Sequence, residues 1–116
     1  MNNQPKMKSN PSKCPIEKTM NVIGGKWTFL ILRELFNGPK RFGEIQKSLE
    51  GVSPRTLSLR LKELNDEEII TRKIYSEIPP HVEYSLTDKG KTMRPIFEAM
   101  KEWGNTWDVL GINEKE

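Results

Sequence analysis

A chain with one cysteine, Cys14, and one histidine, His81, has little from which to build an enzyme. They are the only thiol and imidazole available as a nucleophile and base. One stands near the N-terminus and the other beside a proline-containing loop far along the chain. One cysteine and one histidine also exclude a disulfide framework and a Cys/His zinc site within a single chain. Glu67 and Glu68 are adjacent rather than convergent and read as a solvated face. No GxGxxG, GxxxxGK[ST] or HExxH occurs. The expectation is a protein that is not an enzyme and has no cofactor or metal. The residues with a usable chemistry lie instead in SPRTLSLRLKEL, residues 53–64. Wound as a helix of about 3.6 residues per turn, this segment can turn Leu57, Leu61 and Leu64 inward. Arg55, Leu59 and Lys62 then point away, with Thr56, Ser58 and Glu63 on the flanks. Arg60 sits nearer the buried edge but is long enough to reach outward. Such a face suits a DNA major groove: arginine forms two hydrogen bonds to guanine, hydroxyls serve either partner, and an outward leucine meets a thymine methyl. The first turn, with Arg55 and Thr56, is expected closest to the bases. The helix N-terminus at Ser53 presents backbone N–H groups to phosphate.

Periodicity alone also fits a solvated charged face, so the surrounding elements have to decide. Upstream, Pro15 suits a first helical position, and Ile16, Met20 and Ile23 follow at helical spacing until Gly24-Gly25. A second helix from about Lys26 carries Trp27, Leu30, Ile31, Leu35 and Phe36, with Phe29 and Leu32 widening the stripe, which makes it a central helix. Asn37-Gly38-Pro39 stops it. A short third helix holds Phe42, Ile45 and Leu49. A turn over Glu50–Ser53 follows, then Ser53 as N-cap and Pro54 at the first position of the fourth helix. Helices three and four form a helix-turn-helix. Next, Ile70–Tyr75 and Val82–Leu86 favour strands, joined across Pro79-Pro80. A hairpin directly after a helix-turn-helix is a wing, and Arg72, Lys73 and His81 lie on or beside it. Arg41, before helix three, is a further phosphate candidate. Asp66, Glu67 and Glu68 oppose this reading unless they face away from DNA or pair with nearby basic residues.

A last helix is expected from Thr87 to about Leu110, kinked or interrupted at Pro95. Met93, Ile96, Met100, Trp103, Trp107 and Leu110 fall at steps of 3 and 4, a heptad seam. Burying each tryptophan of that seam is favourable by roughly 2–3 kcal/mol. The seam either folds back on its own core or, as we prefer, meets a second copy, with Ile16 and Met20 of the first helix in the same interface.

The 116 residues amount to one domain, 34% hydrophobic and 30% charged, with a net charge of +3 that permits nucleic-acid binding without demanding it. The core is small, so a partner subunit is expected to complete it. The longest apolar run, Phe29–Leu32, is far short of the ~18–20 residues of a membrane span. The start, MNNQPKMKSNPSK, has no apolar centre and does not read as a signal peptide. A cytoplasmic protein without a membrane partner is expected. Residues 1–13 read as a disordered basic arm, 14–110 as the folded domain, and 111–116 as a flexible tail.

In combination, CPIEKTMNVIGGKW, RFGEI, SPRTLSLRLKEL, IPPHVEYSLTDKG and the later WG resemble the HxlR-type helix-turn-helix transcriptional regulators, bacterial winged-helix proteins of the MarR-like group. The resemblance runs from about Cys14 to Trp107. It implies a fold that is mainly α with a small β-hairpin wing, and N- and C-terminal dimerisation helices. It implies a homodimer on a palindromic operator in double-stranded DNA, with Ser53, Arg55, Thr56, Ser58 and Arg60 as the matched polar positions of the recognition helix. The wing position before Val82, often basic in such proteins, is His81 here. Repression is favoured over activation, because blocking a promoter needs only occupancy. The alternative is a winged-helix protein-interaction module.

Cys14 falls where many such relatives keep a cysteine, and some of them sense oxidants or electrophiles with it. Its place before Pro15 at a helix N-terminus, with Lys13 and Lys18 near in sequence, is the electropositive setting that reactive cysteines occupy. A thiol-reactive or small-molecule effector is therefore expected as a candidate partner. The competing reading is a small residue filling a gap beneath the dimer helices. With no second cysteine, no disulfide can join two different positions.

Overall fold

Local sequence signals set where each element begins. The computed structural model describes residues 14–107; the expected N-terminal arm, the C-terminal tail and Leu110 lie outside the described residues. Helix α1 spans Pro15–Ile23 and α2 Lys26–Leu35, separated by Gly24-Gly25. Gly25 takes a φ of 92°, a backbone setting that glycine adopts at no steric cost. A two-residue strand β1, Lys40–Arg41, leads into α3, Phe42–Ser48. Helix α4 runs Pro54–Asp66 and opens on Ser53, whose Oγ accepts from the Thr56 amide at 3.1 Å. Strands β2, Ile70–Tyr75, and β3, His81–Leu86, form the hairpin. Two helices finish the described chain, α5 at Asp88–Lys91 and α6 at Arg94–Thr106.

The sheet order is β1-β3-β2, antiparallel throughout, with Ile70 opposite Leu86, Lys73 opposite Glu83 and Tyr75 opposite His81. Sequence reading foresees the hairpin but not β1. Two residues carry no periodicity, and this strand exists through its pairing of Lys40 with Tyr84 and Arg41 with Glu83. The core joins Ile31, Leu32 and Leu35 of α2 to Ile45, to Leu57, Leu61 and Leu64 of α4, and to Ile70 and Leu86 at the base of the hairpin. Each of these side chains gains roughly 1.5–3 kcal/mol on leaving water.

The turn after α4 is tied to the start of α5. The Thr87 amide donates to the Ile69 carbonyl at 3.0 Å, while Thr87 Oγ1 donates to the Glu68 carbonyl at 2.7 Å, with the Ile69 carbonyl also 3.0 Å away, and accepts from the Gly90 amide at 3.0 Å. Lys89 Nζ donates to the Glu67 carbonyl at 2.9 Å. Gly90 is required here, since a Cβ at that position would collide with the carbonyl oxygen of Ile69. The TDKG segment thus fixes where the hairpin leaves α4.

Two expectations for the last helix are corrected. The chain does not run as one helix from Thr87; it breaks at Thr92-Met93, and Pro95 sits in the first turn of α6 rather than at a kink. Met93, the N-cap of α6, also leaves the expected dimer seam. It is buried in its own chain's core with Phe97. Phe97 stacks on Phe29 with ring centroids 4.4 Å apart and meets Phe36 edge-on at 5.0 Å. Arg94 adds a hydrogen bond from Nη2 to the Phe36 carbonyl at 3.3 Å.

Candidate nucleic-acid interface

Helix α4 divides its residues by solvent exposure. Leu57, Leu61 and Leu64 are buried, while Arg55, Ser58, Leu59 and Lys62 are exposed. Leu59 is 48% exposed, although water gives a leucine no reason to face outward. Ser53 and Thr56 are tied to each other at the first turn, Ser53 Oγ donating to Thr56 Oγ1 at 3.1 Å. Thr56 and Arg60 are half-buried. Of Asp66, Glu67 and Glu68, which opposed a DNA-facing helix, Asp66 has a basic partner on α4, and Arg60 has a further carboxylate, Glu63. Lys62 Nζ lies 3.0 Å from Asp66 Oδ2, and Arg60 Nη1 lies 2.9 Å from Glu63 Oε1. Arg55 makes no such ion pair among the described residues.

The wing separates its basic residues. Directly opposed residues of an antiparallel pair share a face, and neighbours along a strand alternate. Arg72, opposite Tyr84, therefore lies on the face that also holds Ile74 and Val82. Lys73 lies on the other face with Tyr75, His81, Glu83 and Arg41. There Lys73 Nζ sits 4.9 Å from the centre of the Tyr75 ring, and the Tyr75 hydroxyl donates to Glu83 Oε1 at 3.1 Å. His81 does not project freely. Its ring stacks on Tyr75 at 4.7 Å, and Nδ1 lies 3.8 Å from Glu77 Oε1. Tyr75 and Glu83 organise this face, yet sequence reading passes over them; only the hairpin register brings them together. Arg41 is exposed, and its amide donates to Glu44 Oε1 at 2.8 Å.

Large apolar side chains are also exposed outside α4. Ile16 and Met20 on α1, and Ile96, Met100 and Trp103 on α6, are exposed, as is Trp107 at its end. Trp103 and Trp107 are each 59% exposed, so neither folds back into its own core. Cys14, the N-cap of α1, is exposed. No described helix is long and apolar enough to cross a membrane.

A basic, hydroxyl-bearing helix standing on a leucine row, followed by a hairpin wing whose sheet β1 completes, defines a winged helix-turn-helix DNA-binding regulator. Residues 22–110 match the model of the HxlR-like helix-turn-helix family, and the chain belongs to that family. It is 44% identical over 94 residues to the HTH-type transcriptional regulator YdeP of Bacillus subtilis, covering 81% of this chain and 73% of YdeP. The fold is similar to the redox regulator HypR in its reduced form, with a TM-score of 0.77 and 43% identity over 80% of this chain and 92% of HypR. It is also similar to the reduced form of the transcriptional regulator YodB from Bacillus subtilis, with a TM-score of 0.73 and 34% identity over 89% of this chain and all, 100%, of YodB. HypR has also been solved oxidised, and YodB after diamide treatment. The family and these relatives are transcriptional regulators, in accord with the sparse catalytic inventory.

Proposed function

We propose that the protein is a cytoplasmic homodimeric repressor that holds a palindromic operator with two copies of α4, set one helical turn of DNA apart, ~34–36 Å. The observation that carries this reading is the exposed row Arg55, Ser58, Leu59 and Lys62 above a sealed leucine stripe. Arg55, Thr56 and Ser58 read bases, with Leu59 against a thymine methyl. Ser53 contacts the sugar-phosphate edge, and Arg60 and Lys62 stand beside it, each held by a carboxylate of its own helix. Arg72, Lys73 and Arg41 reach the flanking backbone, and His81 takes part only if it leaves Tyr75. The exposed apolar residues of α1 and α6 form the dimer interface, with Ile16, Met20, Ile96, Met100, Trp103 and Trp107 as its anchors. Two tryptophans left in water favour this over a monomeric docking module.

Cys14 is the proposed point of redox control. Its exposure at a helix N-terminus and the redox character of HypR support that role. With one cysteine per chain, the switch is a mixed disulfide, an alkylation, or a Cys14–Cys14 bridge between subunits. Gel shifts on the DNA upstream of the chain's own gene, with and without diamide, test both parts. Specific retention released by the oxidant supports the reading. Equal retention of any duplex would favour a protein-docking module.

A further inference from the structure

The charges on α4 run against the electrostatics of the helix itself. A helix favours acidic residues in its first turn and basic residues in its last. Helix α4 has no acidic residue in its first turn and no basic residue in its last, where Glu63 and Asp66 stand instead. The pair order is unfavourable too: an acid N-terminal to its base stabilises a helix better than the reverse, and both pairs here place the base first. Exposed pairs of this kind add little stability in any case. Helix stability therefore does not account for these two carboxylates. What they do is hold cations: Glu63 takes Arg60 at 2.9 Å and Asp66 takes Lys62 at 3.0 Å. They leave Arg55, at the end that enters the groove, without an acidic partner among the described residues.

We infer that Glu63 and Asp66 are specificity-determining residues that suppress binding to random DNA. This deepens the proposed reading of α4 and rests on it. Non-specific binding is made almost wholly of phosphate contacts. On random DNA the helix samples many orientations, and in most of them an unrestrained Arg60 or Lys62 would find a phosphate. A carboxylate already bound to each cation withdraws that contact and repels the backbone. On the operator, base contacts from Arg55 and the first turn fix a single orientation, so freeing the two cations adds fewer contacts. The ratio of specific to random binding rises as a result.

The test compares wild type, Glu63→Gln and Asp66→Asn on an operator duplex and a random duplex, by fluorescence anisotropy across salt concentrations, together with thermal melts. Each variant should bind random DNA several-fold more tightly, with a log–log salt slope steeper by roughly 1 for each freed cation. Operator affinity should change much less, and melting temperature should hold or rise. An unchanged ratio of operator to random affinity, or a lowered melting temperature with no gain on random DNA, overturns the inference. If wild type itself fails to distinguish the two duplexes, it is the operator-reading proposal that fails.

Discussion

The ring of Phe97 lies flat on that of Phe29, with centroids 4.4 Å apart and planes within 5°. One residue belongs to the terminal helix and the other to the central helix that packs against α4. Through this contact the tryptophan-bearing helix is attached to the DNA-binding lobe near its first turn, while Trp103 and Trp107 extend into solvent. In the proposed dimer, a rearrangement between subunits would bear on the lobe at the Phe29, Phe36 and Phe97 cluster.

Phe97→Ala should destabilise the fold by about 3–5 kcal/mol, the usual cost of truncating a buried phenylalanine. Urea denaturation followed by circular dichroism measures it. A loss below about 1 kcal/mol would mean that the stack is not a structural anchor.

Thr87→Ala removes the cap of α5 and the hydroxyl donor to the Glu68 and Ile69 carbonyls, and should cost about 0.5–2 kcal/mol. Gly90→Ala should cost more than Thr87→Ala, because the added Cβ meets a backbone carbonyl that cannot step aside. The two melts compared side by side check the order; Gly90→Ala melting as wild type would contradict the geometry at that corner.

Paired replacement of Trp103 and Trp107 by alanine should convert a dimer to monomers while each chain stays folded, since neither ring lies in the core. Sedimentation velocity reads the mass and circular dichroism the fold. A wild-type chain that sediments as a monomer would remove the two-copy arrangement.

Cys14→Ser should bind the operator as wild type does and lose the response to diamide or a quinone. A serine variant that is still released by diamide would exclude the thiol as the sensor.

Much of this was legible in the sequence, for definite reasons. The leucine row and the Ser53-Pro54 start of α4 are local signals, and the helix begins at Pro54 as those signals require. The hairpin was legible because Pro79-Pro80 separates two runs of strand-forming residues. The break at Thr92-Met93 was not. A heptad count also cannot tell which edge of an apolar stripe meets the core, so it assigned Met93 to the seam and passed over Phe97, and both are buried. That Arg72 and Lys73 occupy opposite faces follows from strand alternation alone. That His81 would rest on Tyr75 does not, since it follows from register, which pairs residues distant in sequence.

The central claim is that α4 reads base pairs, and Arg55→Ala tests it most directly. Titrated against an operator and a random duplex at one fixed salt concentration, the variant should lose about 1–3 kcal/mol on the operator and little on random DNA, whereas Arg72→Ala should weaken both alike. Equal losses for Arg55→Ala on the two duplexes, or none on either, would contradict the assignment of this helix as the reader.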